Sequence, residues 1–120
     1  MLNYSVRFTP ANITALKKTL QAGYPQVRSS HLDEAIASSF GFKSYAAMRP
    51  ILHEVSKYAR LVVNTDHFLL LIRLEELGYR DISPMQLRHL VWMVNYPHPL
   101  HEEKNDKVVR ERYRPIAANT

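Results

Sequence analysis

No cysteine occurs anywhere in the 120-residue chain. That absence excludes a disulfide framework, a thiol nucleophile and cysteine-bound zinc, and it suits a reducing compartment. Glycine is scarce as well. The three glycines, Gly23, Gly41 and Gly78, stand far apart, so no glycine-rich loop can cradle a phosphate. Long apolar runs are missing too, since none is longer than the five residues from Phe68 to Ile72, well short of the roughly 20 residues a membrane helix needs. The opening MLNYSVRF has neither the basic start nor the long apolar core of a signal peptide, so no membrane partner and a cytoplasmic location are expected. Acidic residues are thin in the first half. Residues 1–60 hold eight Lys and Arg against three Asp and Glu, residues 61–100 three against four, and residues 101–120 five against four. The net charge of +5 thus sits in the first sixty residues. A basic surface of this kind attracts phosphate backbones and acidic protein surfaces alike.

What is present is enough for one folded domain. Apolar residues make up 46% of the chain and charged residues 22%, an ordinary balance for a domain of this length with its own core. Leu2, Tyr4, Val6 and Phe8 alternate with Asn3, Ser5 and Arg7, which is the period of a half-buried strand. Thr9-Pro10 marks a helix start, with Ile13, Leu16 and Leu20 inward, Lys17 and Lys18 outward, and Gly23 as its stop. Ser30 with Asp33 reads as an imperfect capping box opening a second helix. Pro50 predicts that the next helix, capped by Ser44, is short and restarts at the proline. The β-branched RLVVN at 60–64 predicts a strand paired with residues 2–8. Phe68 to Leu74 reads as a central core helix closed by Gly78, and Ser83-Pro84 with Gln86 opens the last helix.

The expected fold is therefore α+β and mostly helical: about five helices with a small two-stranded sheet. Residues 1–97 form one globular domain with a helix-turn-helix-like hairpin at 30–58, and residues 98–120 form a charged tail or weak terminal helix. Within the hairpin, Ala37 and Gly41 stand four apart among Ile36, Phe40, Phe42 and Ala47. A DNA-reading corner needs that spacing, with a small residue for helix contact and a glycine for the left-handed bend. Lys43, Ser44, Tyr45 and Arg49 would then reach a major groove, while Lys17, Lys18 and Arg28 hold phosphates. A helical hairpin packed around a glycine corner is the plain alternative.

The segment SSHLDEAIASSFGFKSYAAM resembles one found in many small, mostly uncharacterised bacterial proteins of plasmids and other mobile elements. The matching residues are His31, Leu32, Glu34, Ala35, Ala37, Gly41, Phe42, Ser44, Tyr45, Ala47 and Met48. The preceding LKKTL (16–20) and the later FLLLIRLEELGY (68–79) also look like the company this segment keeps, so the resemblance covers about two-thirds of the chain, and it implies a mobile-element setting rather than an activity. Some relatives of the segment adjoin glyoxalase-like domains, but that family's metal-binding pattern is not recognisable here.

Catalytic patterns are missing. There is no Gly-x-Ser-x-Gly elbow, Ser29, Ser30, Ser38 and Ser39 read as caps and helix surface, and the adjacent carboxylates Glu75 and Glu76 point about 100° apart on a helix. His98 and His101, three apart before Glu102 and Glu103 and with His89 upstream, form the one metal-like cluster; without a His-Glu-x-x-His helix they read as surface histidines. No metal, cofactor or enzymatic activity is expected. The favoured function is nucleic-acid binding by a protein of a mobile element. The alternative is a small phage- or plasmid-encoded inhibitor that binds a host nucleic-acid-guided defence complex of the CRISPR type. It would anchor through Tyr96, Arg110, Arg112, Tyr113 and Arg114. A homodimer with Trp92 and Met93 at its seam is a third reading.

Overall fold

The alternation at the start of the chain builds β1 (Tyr4–Arg7), which pairs antiparallel with β2 (Val62–Thr65) in the register Ser5 to Asn64 and Val6 to Val63. Val6 and Phe8 turn inward from this ribbon, and Thr65 is buried opposite. The structure is a computed structural model and describes residues 4–58 and 61–98. Among the described residues there are five helices and this one two-stranded sheet, a mostly helical α+β fold.

Thr9 caps α1 (Pro10–Gly23), its hydroxyl accepting the Asn12 N–H at 3.2 Å. Gly23 ends the helix without a left-handed bend. Its role is close approach, because a Cβ there would fall 2.6 Å from Leu90 Cδ1 of the last helix. The second helix, α2 (Ser29–Ser39), starts two residues earlier than the capping-box pattern predicts. Arg28 stands at its N-cap with no side-chain bond, and Asp33 pairs instead with Lys17 at 2.9 Å. A nearby ammonium on another helix outcompetes a local backbone N–H for that carboxylate.

The corner after α2 is built as expected. Gly41 adopts φ +89°, the Phe42 N–H reaches Ala37 O at 3.0 Å and the Gly41 N–H reaches Ser38 O at 2.9 Å. These crossed bonds satisfy carbonyls that the helix end leaves open. Phe40 and Phe42 then pack on Phe8, with ring centroids 5.7 and 5.9 Å away, which fastens the corner to the sheet. Gly78, at φ +101°, repeats the same cap after α4 (His67–Glu76), with the Tyr79 N–H on Leu74 O.

Pro50 does not divide the third helix: α3 (Tyr45–Tyr58) is continuous through it. The carbonyl that loses its donor belongs to Ala46, and both Ala46 and Pro50 lie on the exposed side, where water can hydrate it. Met48 and Leu52, buried on the inner side to either side of the proline, hold the two halves in one register. Ala47, expected to face the core, is exposed.

The core lies between α1, α2, α4 and α5 (Pro84–Met93), with α3 closing one flank. Leu16, Leu20, Leu32, Ile36, Leu70, Leu74 and Leu87 are fully enclosed, each side chain contributing roughly 1.5–3 kcal/mol by burial. Ser39, expected on a helix surface, is buried here, with its hydroxyl donating to Ile36 O and its carbonyl taking the Asp66 N–H. α4 is less central than its composition suggests. His67, Leu70, Leu71 and Leu74 are buried, while Phe68, Leu69 and Ile72 face outward. The neighbours α2 and α5 cover only one side of a helix this short, so the rest of its apolar surface is left open.

His98, placed with the tail on sequence grounds, is bonded to the folded body. The buried Asn12 amide donates to His98 O and Arg7 O and accepts the His98 N–H, while His98 Nδ1 lies 2.9 Å from Thr9 Oγ1. Tyr96 is half-buried against the core, so it presents only part of its ring. Arg110, Arg112, Tyr113, Arg114, His101, Glu102 and Glu103 lie outside the described residues. No helix among the described residues is long and apolar enough to cross a membrane.

Candidate functional site

Helices α1, α2 and α3 pack pairwise. Between the C-cap Phe40 and the N-cap Ser44 only Gly41, Phe42 and Lys43 intervene, the three-residue turn of a helix-turn-helix. The residues of the 29–48 segment mostly serve this corner. Leu32, Ala35, Ala37 and Met48 are buried between the helices. Glu34 accepts the Tyr45 N–H at 3.1 Å, and Ser44 Oγ accepts the Ala47 N–H at 3.1 Å. Both therefore cap the start of α3, as a carboxylate and a hydroxyl do well at the positive end of a helix. His31 hydrogen-bonds Tyr79 Oη at 2.8 Å, tying α2 to the loop after α4.

A groove of about 450 Å³ opens where the flanks of α1 and α3 meet the first turns of α2. Lys17 and Lys18 line it from α1, Ser29 and Asp33 from α2, and Tyr45, Arg49 and His53 from α3. Ile13 and Leu52 supply an apolar floor. Four of the seven residues expected to touch nucleic acid, Lys17, Lys18, Tyr45 and Arg49, meet in this one place. The other three stand apart from its lining. Arg28 is exposed at the N-cap of α2, where its N–H donates to Tyr79 Oη; Lys43 is exposed in the turn; and the Ser44 hydroxyl is occupied as a helix cap.

Charge in the groove is uneven. Lys17 is held by Asp33, and the side chains of both are largely shielded, at 24% and 22% exposure. Lys18 and Arg49 are exposed and make no salt bridge among those found in the described residues. Tyr45 is half-buried, its ring packed against the core, so its edge forms wall rather than a projecting reader. Among the titratable residues of the groove, His53 and Asp33 are the two that sequence reasoning missed. The i+4 step from Arg49 to His53 on one helix face was the available signal, obscured by the expected break at Pro50.

Burial lowers the pKa of His67, with Asp66 opposing and Arg88 reinforcing the shift. Burial also raises that of Tyr24. Among the described residues no group of three or more His, Asp or Glu is placed to hold a metal. Compared with known proteins, the chain matches no family model, no curated protein and no solved structure.

Proposed function

We propose that this is a non-enzymatic binding protein that engages nucleic acid through the α1–α2–α3 unit. The phosphate backbone is held by Lys18 and Arg49 at the groove, with Lys17 beside them, and the exposed side of α3 meets the bases. Carrying this reading is one observation: cationic side chains from α1 and α3, distant in sequence, converge on one groove. The continuity of α3 supports it as well, since an uninterrupted helix of 14 residues is long enough to lie along a major groove. Small residues near its start, Ala46 and Ala47, are exposed and leave room for close approach to a duplex. A bacterial mobile-element setting and a cytoplasmic location belong to the same proposal and rest on the resemblance of residues 29–48.

The reading is tested by fluorescence anisotropy with a labelled duplex across a salt series. Three phosphate contacts predict a log–log slope of about −3. Arg49→Glu and Lys18→Glu each flatten it by about 1 and weaken all sequences alike. A duplex that shows no binding to micromolar protein at low salt defeats the reading. A stable complex with a host protein assembly, resistant to nuclease, would put the inhibitor alternative in its place.

A further inference from the structure

The outward side of α4 and α5 carries a surface of a different kind. Phe68 is 45% exposed, Ile72 51%, Met85 81% and Trp92 49%. Phe68 and Met85 line one hollow together with His67 and Arg88, and Met85, Arg88, His89 and Trp92 line the next. The apolar surface is therefore continuous from one helix to the other. Single exposed apolar residues are normal on a protein surface, but a contiguous patch marks a place of association.

Charged side chains flank this patch. On α4, Phe68, Ile72 and then Glu75 follow one another at helical spacing; Arg73 pairs with Glu76 at 3.6 Å, whereas Glu75 makes no salt bridge among those found in the described residues and leaves a carboxylate at the C-terminal end. The rise of α4 sets Glu75 about 10 Å along the helix from Phe68. On the opposite flank α5 presents Arg88 and His89. Acid, apolar, base in that order along one surface is self-complementary. A two-fold axis through the apolar centre places the acidic end of each copy against the basic end of the other.

We propose that a second copy of this chain docks on this face, forming a two-fold dimer with Phe68, Ile72 and Met85 at its centre and Glu75 of each copy facing Arg88 of the other. Trp92 lies at the rim of the contact. A face of two short helices is at the small end of specific interfaces, so the dimer has a micromolar dissociation constant. These helices are not the ones that line the cationic groove, so both grooves stay open, and the inference does not depend on nucleic-acid binding.

Sedimentation of the full chain, from low micromolar into the hundreds of micromolar, tests this directly. The average mass should rise from the 14.0 kDa of one chain toward twice that value. Met85→Glu and Ile72→Asp, both at exposed positions, should abolish the rise while leaving the thermal melt unchanged. Glu75→Lys and Arg88→Glu should each weaken association about tenfold, a loss of 1.4 kcal/mol. Mixing these two variants should restore it, because every contact in the mixed dimer is again between opposite charges. A wild-type mass that stays at one chain throughout overturns the proposal. So does a dimer indifferent to Met85→Glu and Ile72→Asp, or a mixture no tighter than either variant alone.

Discussion

The α1–α3 side and the α4–α5 side of this molecule are built by the same helix-ending device and end up with opposite surface chemistry. Gly41 and Gly78 cap α2 and α4 with matching left-handed turns and crossed hydrogen bonds. Yet the first corner is followed by a helix that shares a groove with two lysines, and the second by a helix that exposes Met85 and Trp92. The turn fixes only the direction of the chain. Surface character depends on which side of each helix its neighbours leave uncovered.

The sharpest way to break this contrast is to remove what the two sides share. Leu32 on α2 is fully enclosed between them, and Leu32→Ala should cost about 2–5 kcal/mol, destabilising both in a single transition on chemical denaturation. Substitution at the corners separates local from global effects. Gly41→Ala and Gly78→Ala each meet open space, so the cost comes from the positive φ alone, about 1–2 kcal/mol each in denaturant titrations. A markedly larger loss at either corner would mean that its turn does more than end a helix.

Smaller changes sharpen the electrostatic difference. Asp33→Asn releases Lys17 from its partner, and polyanion binding should tighten by a few-fold, with stability lowered by less than about 1 kcal/mol for so partly exposed a pair. Titrating the variant with labelled duplex and following its melt reads both quantities. Unchanged affinity would place the bound phosphates away from Lys17. On the other side of the molecule, His67 contributes a pH dependence. Its folded pKa lies below the ordinary 6.5, so the unfolded chain takes up the proton first as pH falls. Stability attributable to His67 is then complete above about pH 6.5 and is lost progressively from there down to the folded pKa. Melting temperatures measured across that range should decline less steeply in His67→Gln than in the wild type.

Much of the fold was legible because its signals are local. Thr9-Pro10, Ser44, Asp66 and Ser83-Pro84 each mark a helix start by side-chain chemistry that acts within three residues. The alternation in residues 4–8 likewise gives a strand by itself. What was misread depends on distant partners. Asp33 looked like a cap until α1 brought Lys17 to it, and Pro50 looked like a break although burial of Met48 and Leu52 carries the helix through. The groove was only partly visible. Lysines and an arginine were identifiable as candidates, but nothing local distinguishes Arg49, which lines it, from Lys43, which does not.

The sequence alone determined where four of the five helices start, that Gly41 and Gly78 turn the chain, and that the positive charge belongs to the first sixty residues. These depend on backbone sterics, capping and composition, which act over a few residues or none. Tertiary structure alone decided that α1 and α3 would share a cationic wall and that half of α4 would remain uncovered. Those outcomes follow from how helices pack against one another, and packing is settled by contacts between residues far apart in the chain.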